Sequence, residues 1–76
     1  MAYSLLDLLQ QEDRAKKDVD ATEKIIGIYL KEQSTSDSKA ASIIEEILIG
    51  EYEVLTERKN RLSESRKAIR QYLAQL

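Results

Sequence analysis

The chain has 76 residues and a formal net charge of -2, with 42% apolar and 34% charged side chains, and it contains no Cys, His, Pro, Trp or Phe. So short a chain builds one hydrophobic core at most, and the missing residue types exclude disulfides, thiolate or imidazole metal sites, and any triad or dyad that needs His or Cys. The acidic balance argues against nucleic-acid binding by overall charge. No run approaches the roughly 18 consecutive apolar residues of a membrane span, and the N-terminus lacks the basic and apolar regions of a secretory signal, so a cytoplasm-like compartment is expected.

Ser4 followed by Asp7 forms a capping-box pair, and Tyr3 with Leu8 is placed as a hydrophobic staple across that cap. From there the sequence predicts a helix over residues 5–31. Leu5, Leu8, Ala15, Val19, Ile26 and Tyr29 recur at alternating spacings of three and four, with Glu12 and Thr22 in slots where apolar residues belong. The segment 32–38, EQSTSDS, clusters turn-forming polar residues and predicts the loop.

A second helix is predicted over 39–74, capped by Asp37 or Ser38. Leu48, Leu55, Leu62, Ile69 and Leu76 repeat every seven residues, which keeps one apolar row turned toward a partner helix. The intervening Glu51, Arg58, Ser65 and Tyr72 are mostly polar, so the row is half a seam and a long parallel zipper is disfavoured. The expected fold is all-α: a rod-like, coiled-coil-like antiparallel hairpin with arms of roughly 40 and 55 Å. A three-helix variant, with Gly50 ending a short helix, is the alternative.

With the turn near Ser36, facing residue numbers sum to about 73. Asp7, Glu12 and Asp13 then fall near the basic stretch 58–70, and Lys24 near the acidic stretch 45–57. Surface pairs of this kind contribute about 0 to 1 kcal/mol each, so they select register more than they stabilise.

Near the loop, apolar residues surround both predicted helices, more than two helices can bury between them. Ile26, Tyr29, Leu30, Ile44, Ile47 and Leu48 are the expected protein-contact core. Gly27 and Gly50 interrupt this zone, each costing about 1 kcal/mol relative to Ala in a helix. Close approach of another backbone is one compensation and simple tolerance the other.

The sequence therefore points to a non-enzymatic binding module without cofactor or metal. Its partner is expected to be a second copy, completing a four-helix bundle as a homodimer, or a larger protein. Glu45, Glu46, Glu51, Glu53 and Glu57 scatter where a metal site needs converging carboxylates. The competing reading is a nucleic-acid accessory protein using Lys59, Arg66 and Arg70, which share a narrow helical sector.

Overall fold

The computed structural model describes residues 4–76. Ser4 starts the first helix with a reciprocal cap: the Asp7 N–H donates to Ser4 Oγ at 3.2 Å, and the Ser4 N–H donates to Asp7 Oδ2 at 3.4 Å. Two of the N–H groups left orphaned at a helix start are thereby satisfied. Of the staple expected beside it, Leu8 is buried and Tyr3 lies outside the described residues.

Helix α1 runs Leu5–Thr35 and α2 runs Ser38–Ala74, so only Ser36 and Asp37 connect them. The loop expected over 32–38 is mostly helical, and the hydroxyls of its own residues explain why. Ser34 Oγ donates to the Lys31 carbonyl at 2.7 Å, while Thr35 Oγ1 and Ser36 Oγ donate to the Glu32 carbonyl at 3.2 and 2.6 Å. The Glu32 carbonyl is among the last four of α1, which lack an ordinary intrahelical partner, and Thr35 and Ser36 supply one without ending the helix early, while Ser34 adds a second donor to Lys31. Asp37 then caps α2, accepting the Ala40 N–H at 2.8 Å, and Gln33 Nε2 reaches across to the Ala41 carbonyl at 3.2 Å. Helix α2 is continuous through Gly50, which rules out the three-helix alternative.

The described chain measures 57 × 18 × 15 Å, a rod rather than a ball. Its core is a single stripe. Leu8, Ala15, Val19 and Ile26 of α1 are buried together with Leu48 and Leu62 of α2, and half-buried Leu55 packs against the Ala15, Val19 and Leu62 cluster. Along the seven-residue row of α2, Leu48 and Leu62 are buried, Leu55 and Ile69 half-buried, and Leu76 exposed. The row is the seam of the hairpin where α1 lies opposite it.

The side-chain contacts across the seam define its register. Gln33 meets Ala41, Arg58 meets Asp18 and Thr22, and Arg66 meets Glu12, pairs whose numbers sum to 74, 76, 80 and 78. Side chains lean toward the N-terminus of their own helix, and in an antiparallel pair the two leans are opposed. Tip-to-tip contacts therefore join residues whose numbers exceed the backbone sum, the more so the longer the side chains. The turn at Ser36 and Asp37 sets the backbone sum near 73, below all four.

Candidate interaction surface

Thr22 is the one fully buried residue among those described, with 0% exposure, and it sits at a seam position where the pattern calls for an apolar side chain. Its hydroxyl donates to the Asp18 carbonyl at 2.9 Å and accepts from Arg58 Nη1, which also donates to the Asp18 carbonyl at 3.3 Å. The hydroxyl is thus satisfied both as donor and as acceptor. Arg58, read from the sequence only as a polar gap in the leucine row and part of a basic segment, reaches across the seam to do this.

Cross-arm charge pairing is narrower than expected. Glu12 and Arg66 pair at 3.3 Å. Asp13 instead pairs with Lys17 at 2.9 Å within α1, and Arg61 with Glu57 at 3.9 Å within α2. Asp7 is engaged in the cap. One-turn neighbours on a helix are always within reach of each other, and they capture these charges before the opposite arm does.

The expected contact residues divide into two groups. Ile26 and Leu48, each 5% exposed, are covered inside the seam by the hairpin itself, which takes them out of the expected contact core. Tyr29 and Ile44 are half-buried at its margin, whereas Leu30 and Ile47 are exposed. The sequence placed all six together because the apolar residues of this region surround each helix. Only the pairing of the arms separates inside from outside.

What stays uncovered lies on two flanks. On one, Leu30 and Ile49 accompany Tyr52 and the Gly27 position near the turn, and the same rows expose Leu6, Leu9 and Leu73 far from it. The other carries Ile25 and Ile28 from α1 with Ile43, Ile47 and Val54 from α2, exposed by 37 to 57%. Farther from the turn the second flank continues as a shallow groove of about 450 Å³, rimmed by Arg14, Asp18, Arg61 and Glu64 with Ala15 and Ala68 between them. Spacing by sevens shows that groove and apolar patch are one face: Asp18 and Ile25 share a row of α1, Arg14 and Ile28 the next, and Val54 and Arg61 share a row of α2. Gly50 shares the outer row with Glu64 and leaves a notch in the patch. A Cβ built on Gly27 or Gly50 meets nothing within 4 Å, so no close approach within the chain explains either glycine.

Lys59, Arg66 and Arg70 are exposed on α2, and Arg66 is held by Glu12. Among the described residues no helix is long and apolar enough to cross a membrane. Comparison with protein-family models, characterised proteins and solved structures finds no match to this chain.

Proposed function

We propose that this chain is a non-enzymatic protein-interaction module, a small regulatory or assembly protein of a cytoplasm-like compartment that presents a helical face to a protein partner. One observation carries the reading: a hairpin with six buried apolar side chains leaves five large aliphatic ones exposed on a single face. Contiguous apolar patches of this kind mark contact surfaces, and two helices alone offer too little core for comfortable stability. Covering that face with two further helices completes a four-helix bundle, through self-association or on a larger protein. Nucleic-acid binding through Lys59, Arg66 and Arg70 is the competing reading, and the engagement of Arg66 by Glu12 counts against it.

Affinity capture with the wild-type chain and with Ile47→Asp, at matched helicity, tests the reading. A carboxylate placed in a desolvated contact is strongly unfavourable. The variant is expected to lose bound protein, other copies of the chain included. Equal capture by both chains overturns the proposal.

A further inference from the structure

Resting on the interaction-module reading, we infer that the occupant of the Ile25, Ile28, Ile43, Ile47 and Val54 face is a second copy of this chain, packed about a two-fold axis parallel to the rod with both turns at the same end. Two properties of the face select this occupant over an unrelated protein.

The first is charge. The groove that continues the patch carries Arg14 and Arg61 against Asp18 and Glu64, two charges of each sign. Among the described residues Arg14, Asp18 and Glu64 form no ion pair. Under this two-fold, α1 of one copy lies antiparallel over α2 of the other at equal height. The lean that joins Glu12 to Arg66 within the hairpin then brings Asp18 to Arg61, and Arg14 to Glu64, between copies. Each pair occurs twice, and Arg61, which holds Glu57 of its own helix at 3.9 Å, is shared between that carboxylate and Asp18 of the other copy.

The second is shape and area. Shorter side chains lean less, so Ile25 of one copy falls between Ile47 and Val54 of the other, and Ile28 falls between Ile43 and Gly50. The missing side chain at Gly50, where a Cβ meets nothing within 4 Å, gives Ile28 its space. The five aliphatic residues expose on the order of 400 Å² per copy, in the range of patches that mark contacts. A standard interface takes about 800 Å² from each partner, so the patch alone falls short and the contact has to extend along the rod over the charged groove beside it. The opposite two-fold, with the turns pointing apart, overlaps the apolar halves but leaves much of the charged groove uncovered.

Sedimentation equilibrium on the wild-type chain, Gly50→Glu and Gly27→Glu tests the inference. Both substitutions improve helix propensity at positions open within the hairpin, but only Gly50 lies on the proposed face. The expected result is a wild-type dimer, weakened by at least roughly tenfold in Gly50→Glu and unchanged in Gly27→Glu. Because the chain has no native cysteine, a short bis-maleimide is also expected to join Ile28→Cys chains to Gly50→Cys chains, and not to join Gly27→Cys chains to Gly50→Cys chains. A wild-type monomer at every concentration overturns the inference, as does a dimer that tolerates Gly50→Glu or a cross-link that ignores position. A monomer whose capture of another protein still depends on Ile47 removes the second copy and leaves the interaction-module reading standing. Capture indifferent to Ile47→Asp removes both.

Discussion

Arg58 Nη1 on α2 hydrogen-bonds Thr22 Oγ1 on α1, across 36 residues of sequence and at the most deeply buried side chain among the described residues. A polar link in a largely aliphatic stretch of the seam contributes little net stability, because both groups give up water to form it. Its removal from one side is another matter. Thr22→Val leaves Arg58 with a single carbonyl acceptor and is expected to lower unfolding stability by about 1 to 2 kcal/mol. Adding Arg58→Leu is expected to restore most of that loss. Urea unfolding at fixed chain concentration reads both values, and a double variant no more stable than Thr22→Val contradicts this account.

Asp37 and Ser4 cap their helices with similar geometry, yet their truncation is expected to differ in effect. Replacing a capping side chain by Ala typically costs about 1 kcal/mol. Ser4 stands at a helix end where local fraying absorbs part of the loss, whereas Asp37 also fixes the angle at which the arms meet. Thermal melts of Ser4→Ala and Asp37→Ala should therefore show the larger drop in Asp37→Ala, with a reversed order excluding this role for the turn.

The Glu12–Arg66 pair is partly solvated, its side chains 24% and 51% exposed. A double-mutant cycle with Glu12→Ala and Arg66→Ala is expected to give a coupling of about 0.2 to 1 kcal/mol that fades in high salt. A larger, salt-insensitive coupling would mean the pair holds the arms together rather than biasing their register.

Gly27 lies outside the proposed dimer face with open space where its side chain would be. Gly27→Ala is expected to raise stability by about 1 kcal/mol, the usual helical difference between the two residues. Denaturant midpoints decide it: a loss of stability there points to a contact on the flank that carries Leu30 and Tyr52.

The nucleic-acid reading makes its own prediction. Binding through Lys59, Arg66 and Arg70 has to weaken steeply with salt and disappear in Arg66→Glu/Arg70→Glu. Fluorescence anisotropy with short duplexes and single strands is expected to show no such salt-dependent complex.

The capping box, the two arms and the identity of the seam are legible in the sequence because each rests on spacing alone. Leu8, Ala15, Val19 and Ile26 follow the alternation of three and four and are all buried. The turn was harder to read. Ser34, Thr35 and Ser36 look like a break by composition, but their hydroxyls cap the carbonyls that a break would expose. The role of Thr22 is hidden for a related reason, since its partner Arg58 is distant in sequence and only the folded register brings them together. Ile26 and Ile25 are adjacent and equally apolar, and only the position of the other arm places the first inside and the second on the surface.

Both arms keep their faces in step by counting in sevens, which makes the rod a ruler with coarse graduations. A single residue inserted into one arm turns everything beyond it by about 100° and carries Asp18 or Arg61 off the face that Ile25 and Val54 occupy. Removal of residues 8–14 together with 59–65, which lie at matching heights, shortens the rod by about 10 Å while every row on either side stays aligned. Circular dichroism and sedimentation on such a pair of deletions will show whether length can change in whole graduations while the surface pattern stays intact.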